Sequence, residues 1–387
     1  MIRGYFVANI LESVLLVCLC SQSALRARFF DSLFSYSFLP LGLFLAWIFI
    51  TGFWGNFGWE SFSDLLSWRK LLILAFGLVL LDSQEKLTFL IKVILFTGAV
   101  FLVLILISFC LDIEILDRDW TRVVQNHTAQ GIFLIYIATM LVFLHIFLWR
   151  RQKSSRVRDF LVGFIVATCV VMTVFSSGRG GILLLMSFLS VGFWYASREG
   201  EFQSPRLAVG LLILSLVVVI GSLIGNPRIE AGITNAFGAF NSDVNTSMGV
   251  RVVMWANTLK VISENILLGS GSGGFAAAYD QFIVSDGSWR ALSTDNPHQQ
   301  FLHIWAEYGL VGLLLILFWF WRLTQLSGSK GGVSRLIIMF SVVAIVVLGM
   351  FNGVLGSFVE GRIILYGLVV GVSLTRINHS SEARHDC

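Results

Sequence analysis

The sequence predicts an all-α protein, a polytopic bundle of transmembrane helices with one long loop outside the membrane. Of its 387 residues, 56% are hydrophobic and only 13% are charged, which is about half the charged fraction of an ordinary soluble domain. Several uninterrupted apolar runs are long enough for a helix to cross a hydrocarbon core of about 30 Å. These runs do not alternate between apolar and polar residues, as the strands of a transmembrane barrel would.

The apolar runs define the expected membrane segments. They lie near 5–20, 36–54, 71–82, 87–111, 129–149, 160–175, 182–196, 207–225, 303–321, 333–350 and 362–375. We interpret 5–20 as a retained segment, because no clear small-x-small cleavage site follows it; a cleaved signal peptide is the alternative. The short run 71–82 can be re-entrant. We therefore expect about ten to twelve crossings in a single membrane domain that covers residues 1–387.

Basic residues predict the orientation. Five of them lie between Arg150 and Arg158, and short loops rich in Lys and Arg stay on the cytoplasmic side. Counting helices from this loop places residues 226–300 outside the membrane and the C-terminus, with Arg376, inside. The same counting puts the N-terminus outside, whereas Arg3 favours the inside, so the orientation of the N-terminal third stays open.

Polar residues at membrane depth are costly, so a cluster of them indicates a functional site. In the predicted topology such residues gather near the external face. They are Arg122, Asn126, His127, Arg179, Arg251, Gly271 within the segment Gly269–Gly274, Asn296, His298 and, about two turns further on, Glu307.

Arg179 lies in the glycine-rich turn Ser176–Gly181 between two predicted helices. Glycines expose backbone N–H groups to an anion, and an arginine binds phosphate through two parallel hydrogen bonds. An arginine that only snorkels at the interface is the alternative. Arg251 opens a stretch with helical spacing of apolar residues, Arg251–Ile262, and a surface helix with a solvated arginine explains that stretch equally well.

The segment Gly269–Gly274 matches the string G-x-G-x-x-G. That string indicates dinucleotide binding only between a strand and a helix. Here it lies between membrane helices, so we expect a flexible loop near a substrate instead.

His298 follows Asn296-Pro297 at the start of a predicted membrane helix. A neutral imidazole there can act as a general base near neutral pH, and the alternative is a histidine that caps the helix. His298 and His303 are five residues apart, so on a helix they point about 140° away from each other and are not expected to share a metal.

Taken together, these residues resemble the O-antigen ligase and polymerase superfamily. Residues 296–313 read NPHQQFLHIWAEYGLVGL, which is similar to that family's pattern N-P-H-N-x-x-L-x-x-x-x-E-x-G-x-x-G-L. Supporting matches are the turn at Arg179, Arg251 with Trp255, the Gly-Ser-Gly segment ending at Phe275, and Asn126–Gly131. The resemblance covers about residues 110–330. Gln299 replaces the family's usual Asn, and the Pro often found before the Gly-rich segment is absent.

The resemblance implies a GT-C-like helical fold in the bacterial inner membrane, with the active site at the periplasmic face. The donor would be a glycan on undecaprenyl diphosphate, and a ligase would use a sugar hydroxyl of the lipid A core as acceptor. His298 matches the family's base, and Arg179 and Arg251 match the cations that neutralise the diphosphate. The other clustered residues would bind substrate. The family implies no metal, cofactor or nucleic acid.

Two alternatives stay open at this point. The first is a polymerase of the same superfamily, which would use the same donor and a glycan acceptor. The second, which the sequence favours less, is a transporter of lipid-linked sugars: it would favour charged residues near mid-membrane and pseudo-symmetric halves, whereas the polar residues cluster at one face. An intramembrane metalloprotease would need a His-Glu-x-x-His helix, and the sequence has no such string.

Overall fold

A computed structural model of the chain is all-helical in the part that it describes, which confirms the predicted fold class. It describes residues 14, 17–18, 21–35, 37–55, 58–115, 118–151, 156–175, 179–198, 247–283, 293–326, 332–357 and 359–385. The predicted segment 207–225 lies outside the described residues, as does nearly all of 5–20.

The described residues form thirteen α-helices. They are α1 (Ser23–Leu33), α2 (Leu39–Thr51), α3 (Trp59–Trp68), α4 (Leu72–Leu80), α5 (Gln84–Leu111), α6 (His127–Arg151), α7 (Arg156–Phe175), α8 (Arg179–Arg198), α9 (Ser247–Glu264), α10 (Phe275–Asp280), α11 (Gln300–Gln325), α12 (Gly332–Gly349) and α13 (Val359–His385). A single 3₁₀ turn, Arg69–Leu71, joins α3 to α4.

Five of the described helices are long and apolar enough to cross a membrane. They are α5, the part His127–His145 of α6, the part Arg156–Val174 of α7, α11 and α12. Helix α2 and the part Gly180–Tyr195 of α8 are apolar but shorter. The protein is therefore a multi-pass membrane protein. Helix α4, predicted as a doubtful segment at 71–82, has nine residues and is too short for a crossing.

Contacts between helices fix their relative directions. Arg335 in the first turn of α12 lies over the ring of Trp194 near the end of α8, 5.1 Å from its centroid, so these two helices run antiparallel. A Cβ on Gly181 would lie 2.7 Å from Cα of Gly131, so α6 and α8 begin side by side. The first turns of α6 and α8 and the last turn of α12 therefore share one end of the bundle, which we call the motif end.

Candidate functional site

At the motif end, glycines bring α6 and α8 into close contact. A Cβ on Gly180 would lie 2.7 Å from Cγ2 of Thr128, and one on Gly181 would overlap the backbone of Gly131. Since α8 begins at Arg179, this packing places that residue's backbone beside the first turn of α6, which carries His127. Residues 176–178 of the predicted turn lie outside the described part of the chain.

The segment before α6 holds two more of the predicted site residues. The Oδ1 atom of Asn126 accepts a hydrogen bond from the N–H of Ala129, 2.8 Å away, and so caps the helix. Arg122 donates to Asp119 at 2.6 Å. Hydrogen bonds from Thr121 and then Arg122 lower the pKa of Asp119 to about 2, so Arg122 has an ionised partner at neutral pH.

Helix α9 holds the Asn296–His298 turn. It extends over Ser247–Glu264, which confirms the helical stretch predicted from Arg251. The indole Nε1 of Trp255 donates to the carbonyl oxygen of Pro297, and Oδ1 of Asn296 accepts from the N–H of His298 at 2.8 Å. His298 itself has φ +54°, a left-handed conformation that histidine adopts more readily than most residues do.

The imidazole of His298 is exposed, and its pKa is lowered from the ordinary value of 6.5. Partial desolvation is the main cause, followed by the positive charge of Arg251; a hydrogen bond with Asn352 and the negative charge of Asp295 oppose them. A lowered pKa keeps the imidazole neutral at neutral pH, as a general base requires. Two predicted residues, His298 and Arg251, are thus brought within electrostatic reach of each other.

The start of α11 is tied to the segment that follows α12. Gln299, which departs from the family pattern, caps α11 by accepting from the N–H of Leu302. The side-chain oxygen of Gln300 accepts from the N–H of Leu355, 2.9 Å away. This link places Asn352 beside His298. Sequence reasoning missed Asn352: Asn-Gly between two membrane segments indicates a turn, but not which turn lies at the site.

Helix α11 is interrupted at Gly309, which has φ +68° and ψ −174°. The Gly-rich segment fills this break. The N–H groups of Ser270 and Gly271 donate to the carbonyls of Ala306 and Glu307, both at 2.8 Å. In the opposite direction, the N–H of Leu310 in α11 donates to the carbonyl oxygen of Ile266, which precedes the Gly-rich segment. The prediction of a flexible loop is therefore wrong, because these bonds hold the segment against α11.

The glycines of this region allow close backbone packing. A Cβ on Gly271 would lie 2.5 Å from Cα of Gly55, and one on Gly309 would overlap the carbonyl oxygen of Leu267. Both glycines also have positive φ, which other residues rarely adopt. Close packing and positive φ therefore explain why glycines occur here, and a bound nucleotide is not needed to explain them.

Glu307 is buried, with 3% of its surface exposed. Its Oε1 accepts from the N–H of Gly273 at 2.8 Å, and its Oε2 lies 3.1 Å from Nε2 of His303. Nearby, Oδ2 of Asp64 accepts from the hydroxyls of Ser272 and Tyr308, both at 2.7 Å.

Burial, followed by the negative charge of Glu307, raises the pKa of Asp64 to about 6. Sequence reasoning missed Asp64, which lies in the N-terminal third and outside every predicted membrane segment. Among the described residues, no group of three or more His, Cys, Asp or Glu side chains could hold a metal ion.

These features define a multi-pass helical membrane protein with polar residues gathered at the motif end. A family model described as O-antigen ligase matches residues 164–317, so this part of the chain is similar to an O-antigen ligase family domain. It includes Arg179, Arg251, His298 and Glu307. A Haemophilus influenzae protein named "Uncharacterized protein" is 28% identical over 204 residues, 49% of this chain and 48% of that protein. The chain thus spans about half the length of this curated relative.

Proposed function

We propose that this protein is a glycosyltransferase that moves an O-antigen polysaccharide from undecaprenyl diphosphate to a sugar hydroxyl of the lipid A core, without a metal. The observation that carries the proposal is the arrangement of His298: an exposed imidazole with a lowered pKa, held in a fixed turn beside Arg251. The match of this region to the O-antigen ligase family model supports the choice of substrates.

In the proposed reaction, His298 takes the proton from the acceptor hydroxyl as its oxygen attacks the anomeric carbon of the donor. The bond between that carbon and the diphosphate oxygen breaks, and the diphosphate leaves with the electron pair. Arg251 and Arg179 neutralise the charge that develops on it. The glycosyl diphosphate is already activated, so the reaction needs no nucleotide.

Apart from Glu307, the remaining predicted residues take two kinds of role in this proposal. Arg122, Asn126 and His127, which lie in the segment before α6 and in its first turn, contact the substrate. Asn296 and Gly271 shape the turn and the Gly-rich segment that border it. The motif end faces the periplasm, the C-terminus is cytoplasmic, and residues 226–300 form a periplasmic region.

A strain that lacks this protein tests the substrate assignment. Lipopolysaccharide is separated on a gel, and the lipid-linked glycan is analysed from the same cells. Bare core with long chains accumulating on the carrier lipid is the expected result. Core that carries a single repeat would identify a polymerase instead, and unchanged long-chain lipopolysaccharide would refute both assignments.

Purified variants test the residue roles. Replacing His298 by Ala should lower the transfer rate about 10²–10⁴-fold, the usual contribution of a general base. Arg179→Lys should also be damaging, because Lys keeps the charge but loses the two parallel hydrogen bonds. Full activity with His298→Ala at normal protein level would exclude the base role, and full activity with Arg179→Lys would reduce that residue to an anchor.

A further inference from the structure

A buried polar cluster joins the Gly-rich segment to both α3 and α11, and the proposed chemistry uses none of its members. The cluster consists of Asp64 and Trp68 of α3, Ser272 and Gly273 of the Gly-rich segment, and His303, Glu307 and Tyr308 of α11.

Glu307 occupies the centre of these contacts. Its carboxylate joins the N–H of Gly273 to the imidazole of His303, four residues earlier on α11. Its own carbonyl accepts from the N–H of Gly271 at 2.8 Å. One residue therefore fixes the Gly-rich segment at two points and also braces the first half of α11.

That first half of α11 begins directly after the turn that carries His298. It spans only about two turns before the break at Gly309, so a shift of the Gly-rich segment acts on a short, separate piece of helix. A further bond, from Nε1 of Trp305 to the carbonyl of Ile266 at 3.1 Å, ties the same piece to the chain before that segment. The His298 turn and the Gly-rich segment are thus both attached to the first half of α11.

Helix α3 extends this support to the N-terminal third of the chain. Asp64 binds Ser272 and Tyr308, and Ser61 donates to the carbonyl of Ser272 at 2.7 Å. The opposite face of α3 exposes Trp59 by 76% and Phe62 by 51%. Tryptophan side chains are enriched at the membrane interface, so Trp59 can hold α3, and with it the Gly-rich segment, at a fixed depth.

We propose that Glu307 is a positioning residue for glycan transfer: by clamping Gly273 to His303 it holds the Gly-rich segment and the His298 turn in their reactive arrangement, with α3 as the outer support. This inference rests on the proposed function. Glu307 acts through the backbone of its neighbours and does not touch the reacting atoms.

The test uses the purified full-length protein and three variants. Glu307→Ala removes the clamp, whereas Glu307→Gln keeps an oxygen for the N–H of Gly273. Tyr136→Phe is the matched control, because it removes another buried hydrogen bond, the 2.6 Å contact with Ser341 inside the helix bundle. Each protein is measured for hydrogen exchange of the peptide containing Gly269–Gly274, and for kcat and KM with the lipid-linked glycan and lipid A core.

With Glu307→Ala we expect faster exchange in the Gly-rich peptide and a kcat lowered about 10–100-fold, which is the usual cost of misplacing reactive groups by about 1 Å. KM should change little. Glu307→Gln should retain slow exchange and most of the wild-type kcat, and Tyr136→Phe should match the wild type in both measurements.

Two results would overturn the inference. Unchanged exchange in Glu307→Ala would show that the carboxylate does not hold the segment. Faster exchange with an unchanged kcat, or a Gln variant as impaired as the Ala variant, would show that the clamp does not position the reactive groups. If the wild-type protein transfers no glycan, the proposed function and its positioning role fail together, while the exchange data still report whether the clamp exists.

Discussion

The indole Nε1 of Trp255 donates a 3.0 Å hydrogen bond to the carbonyl oxygen of Pro297. This bond joins α9 to the turn that carries His298. Arg251 lies four residues before Trp255, so the two side chains share one face of the helix. The same helix therefore holds the proposed base and brings a cation to it.

Removing this hydrogen bond should impair transfer more than stability. Trp255→Phe retains most of the aromatic packing and loses the donor, so we expect a loss of about 1 kcal/mol in the free energy of unfolding. If the bond sets the position of His298, kcat should fall about tenfold. Trp321→Phe is the control, because Trp321 is exposed and lies in α11 beyond the break at Gly309. This variant should be neutral in thermal unfolding and in the transfer reaction. An unchanged kcat in Trp255→Phe would show that the turn holds its shape without α9.

The pH dependence of transfer should follow the titration of His298. The neutral imidazole is the active form, so kcat/KM should fall as the pH drops through the pKa of His298. Because that pKa is lowered, the midpoint of the fall should lie below 6.5 in the wild-type protein.

Arg251 contributes to this lowered pKa through its positive charge. In Arg251→Gln, the midpoint of the residual activity should therefore move to higher pH, while Lys260→Gln on the same helix should leave it in place. A midpoint that moved to lower pH in Arg251→Gln would contradict the charge coupling.

The glycine contact between α6 and α8 should be sensitive to a single methyl group. A Cβ at position 181 would lie 2.5 Å from Cγ2 of Thr173 and 2.7 Å from the backbone of Gly131. Gly181→Ala should therefore lower the free energy of unfolding by about 1–3 kcal/mol, and it should reduce kcat by moving the start of α8.

Gly163→Ala in α7 provides the comparison, since among the described residues no atom outside the adjoining turns of α7 lies within 4 Å of a Cβ there. Alanine at an open helical position should be neutral or stabilising by up to about 1 kcal/mol. Thermal unfolding in detergent compares the two variants, and equal midpoints would mean that α6 and α8 can separate at no cost.

Asp64 should make the protein less stable as the pH rises. Its pKa is raised to about 6 by burial and by Glu307, so the folded state binds this proton more tightly than the unfolded state, whose carboxyl titrates near 3.8. The stabilisation that comes from the proton bound to Asp64 is fully present below pH 3.8 and is lost as the pH rises through about 6.

Asp64→Asn removes the free-energy cost of burying an ionised carboxyl group and keeps an oxygen for the hydroxyls of Ser272 and Tyr308. At pH 7.5 it should stabilise the protein by up to about 3 kcal/mol, and the gain should shrink at pH 5. Asp64→Ala loses both hydrogen bonds and should be destabilising. A lower unfolding temperature for Asp64→Asn than for the wild type at pH 7.5 would contradict the raised pKa.

Local patterns in the sequence determined the helices and the residues of the Asn296–His298 turn. Apolar runs predict membrane helices because a spanning segment must satisfy its own backbone hydrogen bonds. The helices predicted at 87–111, 129–149, 160–175, 182–196, 303–321 and 333–350 are all present, with ends that differ by a few residues. Arg251 and His298 could be selected in the same way, since each lies in a short recognisable pattern.

Only the tertiary structure decided which of these residues meet. Asp64 and Ser272 are 208 residues apart, and no local pattern in a single sequence reports a contact at that separation. Asn352 lies beside His298 because Gln300 binds the segment after α12, and the Gly-rich segment is ordered because a break in α11 offers it unpaired backbone groups. Side-chain packing between distant helices sets these contacts, whereas the sequence by itself determined the lipid-crossing helices and the chemical character of the proposed site.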